Sequence, residues 1–152
     1  MNVNKLLKLR CKNKIIGKLI EKLIRNQGCF LPRNVKIGKN VQFSHNGFGT
    51  VVHPNTIIED NVRIYQNVTI GRADIWNSIE NSEMEGIIIS EGAIICAGAK
   101  ILCKRGKLVI GRNSIVGANA VVTKSIGDNE IWAGIPAKKI KNRNDTCSNI
   151  CK

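Results

Sequence analysis

The sequence is poor in aromatic residues, proline, histidine and acid. Its 152 residues hold three Phe, two Trp and one Tyr, which excludes the aromatic platforms on which single-stranded nucleic acid stacks. Three Pro exclude a proline-rich extended chain. Two His, and six Cys with neither a CxxC pair nor a His at ligand spacing, leave no zinc module, so no metal is expected. No run approaches the roughly 20 apolar residues that a membrane-spanning helix needs. The first residues lack the uncharged apolar stretch and cleavage site of a secretory signal. The expected location is therefore the cytoplasm, where thiols stay reduced.

Acid is scarce against 24 Lys and Arg, and the net charge is +13. The surplus is confined to the ends. Residues 1–33 hold nine basic residues and one acid, and 138–152 hold five and one. The span 34–137 holds ten and nine. Two basic arms thus flank a neutral body. With no aromatics among the cations, nucleic acid is not the expected partner. A membrane surface, a protein or a phosphorylated cosubstrate is.

What is abundant is branched aliphatic and Asn: 24 Ile, 11 Val and 18 Asn. They are ordered with a period of six. Apolar residues stand at Leu31, Ile37 and Phe43, then at Val52, Ile58, Ile64 and Ile70, then at Ile89, Ile95 and Ile101, then at Ile110, Val116 and Val122. Three positions after each apolar residue from Leu31 to Ile64, Ile89, Ile95, Ile110 and Val116 comes Asn or Gly. These are Asn34, Asn40, Asn46, Asn55, Asn61, Asn67, Gly92, Gly98, Asn113 and Asn119, residues that tolerate positive φ. A turn every six residues fits neither a helix nor a hairpin sheet. It predicts short strands stacked in coils, a parallel β-helix of hexapeptide repeats, all-β and left-handed, over residues 29–135. The register breaks after Phe43, in a loop Gly71–Ile88, and around Cys103–Lys107, and solenoid insertions often carry function.

At three-to-four spacing, Leu6, Leu7, Leu9, Ile15, Ile16, Leu19, Ile20, Leu23 and Ile24 alternate with lysines. This predicts an amphipathic helix within an arm at 1–28. It either caps the solenoid or lies on an anionic membrane as a peripheral contact. Residues 136–152 read as a basic tail.

The two histidines flank the first break, in FSHNGFGTVVHPN. His45 precedes the irregular Asn46–Gly49 stretch, where a substrate can approach, and histidine titrates nearest to neutrality of the side chains. His53 sits in a regular repeat. The stretch FSHNGFGTVVHPNTIIEDNVRIYQNVTIG resembles the active-site segment of serine acetyltransferases and their capsular-polysaccharide O-acetyltransferase relatives. IGRNSIVGANAVVTKSIGDNEIWAGIPAKKIK resembles their C-terminal coils.

The resemblance implies an O-acetyltransferase that uses acetyl-CoA, works as a homotrimer, and employs His45 as general base. It implies coenzyme contacts at Ala97, Ala118, Thr123, Lys124, Lys138 and Lys141. Three positions depart from the family pattern. Phe30 stands where an acid would orient the histidine. Glu85 and Gly86 replace an Arg-His pair that serves the serine acceptor. The long loop holds Asp74, Trp76 and Glu85, a lining suited to sugars. The acceptor expected is therefore the hydroxyl of a sugar or polysaccharide precursor, with His53, Asp74, Trp76 and Glu85 as substrate contacts. Serine is the alternative. An amino-sugar N-acetyltransferase and a non-catalytic scaffold stay open.

Overall fold

A computed structural model describes residues 2–9 and 14–143. The body is a left-handed parallel β-helix whose strands fall into three sheets. The first contains β1 (Lys36–Ile37), β4 (Thr56–Ile58), β7 (Met84–Ile89) and β10 (Gly106–Ile110). The second contains β2 (Gln42–Phe43), β5 (Arg63–Ile64), β8 (Ile94–Ile95), β11 (Ile115–Val116) and β13 (Glu130–Ala133). The third contains β3 (Val51–Val52), β6 (Thr69–Arg72), β9 (Lys100–Cys103) and β12 (Val121–Val122).

The period of six is the reason for this stacking. Each repeat puts one branched aliphatic inward, and registration places like on like: Phe43 over Ile64, Ile64 over Ile95, Ile95 over Val116. All of these are fully buried, as are Ile58, Ile70, Ile89, Ile101 and Ile110. The small residues under the corners are buried too, among them Val62, Val68, Ala93, Ala99, Ser114 and Ala120.

Most of the expected turn residues adopt positive φ: Asn40, Asn46, Asn61, Asn67, Gly92, Gly98, Asn113 and Asn119. Asn34 and Asn55 do not. Pro32 and Pro54 lead those corners instead. At the first of them, Val35 N–H donates to the Pro32 carbonyl, a turn with Arg33 and Asn34 at its centre.

Three boundaries differ from the sequence reading. The arm forms two helices, α1 (Val3–Lys8) and α2 (Lys14–Arg25). The loop expected over Gly71–Ile88 is shorter, because β6 and β7 run out of the coil at both of its ends. Arg72 pairs with Cys103, and Met84 with Gly106, so the second and third breaks build one two-layered projection. The basic tail is part of the fold through β14 (Lys138–Asn142), which pairs antiparallel with β13. Cys11, Cys147 and Cys151 lie outside the described residues.

Candidate active site

His45 lies on the corner between β2 and β3. The turn Ser44–Gly47 puts His45 at φ 52° and Asn46 at φ 58°, a left-handed pair that non-glycine residues seldom adopt. The turn is held from several sides. Phe48 N–H donates to the His45 carbonyl, Thr50 N–H to that of Gly47, and Gly49 N–H to that of Gly28. The imidazole itself is exposed. Its ring neighbour is Tyr65 on the next coil, with centroids 6.4 Å apart.

The strand register carries this corner down the molecule. Tyr65 donates to the Ile95 carbonyl, Cys96 to Val116 and Gly117 to Trp132, while Gly98 donates to Gln66 and Asn119 to Ala97. Gln66, Ala97 and Ala118 therefore form one column, with His45 at its head. Coils stacked at about 4.8 Å put Ala118 about 14 Å along the axis from His45. The adjacent column, through Tyr65, Cys96 and Gly117, continues to Ala133, because Val116 pairs with Trp132, and Ala133 is in register with Lys138. His45, Ala97 and Ala118 thus share one corner, and Lys138 stands beside its foot. Lys141 lies further along β14, opposite Ile131. Thr123 and Lys124 follow β12, one sheet away, and the Lys124 ammonium sits 5.4 Å from the Trp132 ring centroid.

The second histidine occupies a different corner. His53 follows β3, and its Nδ1 accepts the Asn55 N–H at 3.1 Å. The neutral ring therefore carries its proton on Nε2, as a donor. Burial, and then the Arg72 guanidinium, push its pKa below the ordinary value, which favours that neutral form.

The loop residues separate. Trp76 is 70% exposed, with the Lys104 ammonium 5.6 Å from its ring centroid. Glu85 is exposed and 3.9 Å from Lys107. Asp74 does not face an acceptor: it is 1% exposed and lies 3.5 Å from Arg72 Nε. Arg72 also donates to the carbonyls of Asn77 and Ser78. The pair folds the loop onto its own base. Burial alone would raise the Asp74 pKa, but hydrogen bonds from Ser82 and Asn77 and the Arg72 charge hold it below the ordinary value.

Three residues at these corners were not singled out from sequence. Tyr65 is placed by long-range stacking. Arg72 is two residues from Asp74, a spacing that was there to be read. Lys100 lies outward on β9, and its ammonium donates to the carbonyls of Asn67 and Gly98 at 3.0 and 2.9 Å, which draws a cation onto the corner column. The acid missing from position 30 is not replaced in place: Phe30 bridges Val51 and lies under the Arg25 guanidinium.

No protein-family model matches the sequence. The serine acetyltransferase of Salmonella typhimurium is 36% identical over 103 residues, 68% of this chain and 34% of that protein. The serine acetyltransferase of Staphylococcus aureus is 36% identical over 106 residues, 70% of this chain and 46% of that protein. The crystal structure of Brucella abortus serine acetyltransferase in complex with coenzyme A matches with a TM-score of 0.69 at 27% identity, over 92% of this chain and 52% of that one. The chain spans between about a third and half of the length of these proteins. Repeat, fold and likeness together define a hexapeptide-repeat β-helix of the acyltransferase kind. Within that class the chain is serine acetyltransferase-like.

Proposed function

We propose that this protein transfers an acetyl group from acetyl-CoA to a hydroxyl, with His45 as general base. The observation that carries the reading is the position of His45. It is an exposed imidazole on a left-handed turn, at the head of a column that runs through Ala97 and Ala118, with Lys138 at the foot of the adjacent column.

In this reading the pantetheine arm lies along the column, where Ala97 and Ala118 allow close approach to backbone. Lys138, with Lys141, Thr123 and Lys124 near that end, meets the phosphates as point charges. His45 accepts the acceptor's hydroxyl proton as its oxygen attacks the thioester carbonyl. A tetrahedral oxyanion forms and is met by backbone N–H groups of the coils. It collapses with cleavage of the C–S bond, the acetyl oxygen ester is released, and the proton passes to the departing CoA sulfur. His53, with its donor on Nε2, is suited to an acceptor oxygen.

The acceptor we favour is serine, the substrate in the names of the relatives. This replaces the sugar hydroxyl expected from the loop, since Asp74, one of its supposed ligands, is engaged by Arg72. One observation keeps a sugar as the second reading: the open indole of Trp76 can stack on a ring face. A homotrimer would set the His45 corner against a neighbouring copy. The outward Val51 and Ile57, both partly exposed, support such contacts. Free thiols at Cys29, Cys96 and Cys103 support a reducing compartment such as the cytoplasm.

The test is thiol release from acetyl-CoA in the presence of serine, simple sugars and amino sugars. Turnover with serine alone supports the first reading, and turnover with a sugar alone the second. Turnover only with amines, or none together with no CoA binding, contradicts both.

A further inference from the structure

Helix α2 has more apolar surface than the solenoid uses. Gly17, Ile20 and Ile24 are buried and dock the helix. Ile15, Leu19 and Leu23, spaced i, i+4, i+8 and so aligned on one line, are 81%, 57% and 38% exposed, and Ile16 beside them is 48% exposed. A second apolar stripe thus runs along the solvent side of the helix. The exposed Lys18 and Lys22 border it on the flank away from the solenoid.

The charge around the stripe selects its occupant. The described arm carries Lys5, Lys8, Lys14, Lys18, Lys22 and Arg25 against one acid, Glu21, and that acid is spent on Arg25 at 3.4 Å. Pairing with a second copy would bring Lys18 and Lys22 against their counterparts with no carboxylate on that face to answer them. An apolar stripe edged by lysines fits instead a surface that offers hydrocarbon beneath a layer of negative charge. No described helix is long and apolar enough to cross a membrane, so such a helix would lie in the surface plane.

We infer that α2 is a docking surface for a bilayer rich in anionic lipid, with Ile15, Ile16, Leu19 and Leu23 entering the headgroup boundary and Lys18 and Lys22 meeting the phosphates. The site is independent of the His45 corner.

The test is flotation of the full chain with phosphatidylcholine vesicles and with vesicles containing phosphatidylglycerol. Binding to the anionic vesicles should be about tenfold stronger or more, and should weaken with added salt. Leu19→Ser/Leu23→Ser and Lys18→Glu/Lys22→Glu should each lose about tenfold or more, with circular dichroism and CoA binding unchanged. Equal partition onto both vesicles, or onto neither, would overturn the inference. So would a larger assembly in sedimentation that Leu19→Ser/Leu23→Ser dissolves while lipid binding is absent, since a second copy would then cover the stripe.

Discussion

The side chain of Asn4 grips both backbone groups of Phe43: its Oδ1 accepts the Phe43 N–H at 2.8 Å, and its Nδ2 donates to the Phe43 carbonyl at 3.0 Å. One amide thereby closes the open edge of β2, two residues before His45. Asn4→Ala leaves both groups of a part-buried edge without a protein partner. The loss should be about 1–3 kcal/mol in denaturant unfolding, two modest hydrogen bonds. Because the His45 turn grows from this edge, kcat should fall while the KM for acetyl-CoA stays near its starting value.

The same turn depends on Gly49. Its φ is 69°, and a Cβ there would run into the Asn67 carboxamide of the coil below. Gly49→Ala combines an unfavourable backbone region with that clash and should destabilise the fold by about 1–3 kcal/mol. Gly106 is the control. It also has positive φ, at 58°, but nothing lies within 4 Å of its Cβ position, so Gly106→Ala should cost less in the same thermal unfolding assay.

Glu130 fastens the last strand. Its carboxylate accepts from Lys139 Nζ at 2.7 Å, Trp132 Nε1 at 2.8 Å and Gly127 N–H at 2.9 Å. The Lys139 bond, then that from Trp132, hold its pKa below the ordinary 4.5. A folded-state pKa below the unfolded one stabilises the fold above the unfolded value, and that contribution is lost as pH falls through the folded value. Wild-type stability should therefore drop as pH falls below about 4.5. Glu130→Gln should be less stable near neutrality and show a flatter acid limb in unfolding measured from neutral to acid pH.

Lys138 stands at the foot of the column beside that of His45, whereas Lys141 lies further along β14. Lys138→Ala should raise the KM for acetyl-CoA by about fivefold or less at low salt, in keeping with ~1 kcal/mol for an exposed pair. Lys141→Ala should raise it less. Added salt should shrink both effects, and kcat should hold, the pattern of lost uniform binding. Steady-state kinetics at two ionic strengths checks this.

The coils were legible because their signals are local. An inward Ile, then Asn or Gly at a left-handed corner, then a small residue recur within each six residues, and the buried columns through Ile64, Ile95 and Val116 follow from that. The irregular corner at His45 was legible for the same reason, since it marks the first point where the period fails. What the sequence did not disclose depends on residues far apart in the chain. Asn4 reaches Phe43 across 39 positions. Lys138 meets Ala133 only because the chain reverses into β14. Asp74 read as a sugar ligand because a carboxylate in a polar loop looks free; its burial against Arg72 is a tertiary fact. Asn34 and Asn55, each close behind a proline, turn their corners without positive φ, unlike the Asn residues of the later repeats.

The central claim is that His45 is the base. The most direct measurement is the turnover of His45→Ala with saturating acetyl-CoA and the best acceptor, alongside acetyl-CoA binding by calorimetry. Removing a general base should lower kcat by about 10²–10⁴ and leave coenzyme affinity nearly unchanged, while His53→Ala costs less. Turnover of His45→Ala within a few-fold of wild type, with His53→Ala the more damaging change, would contradict the account.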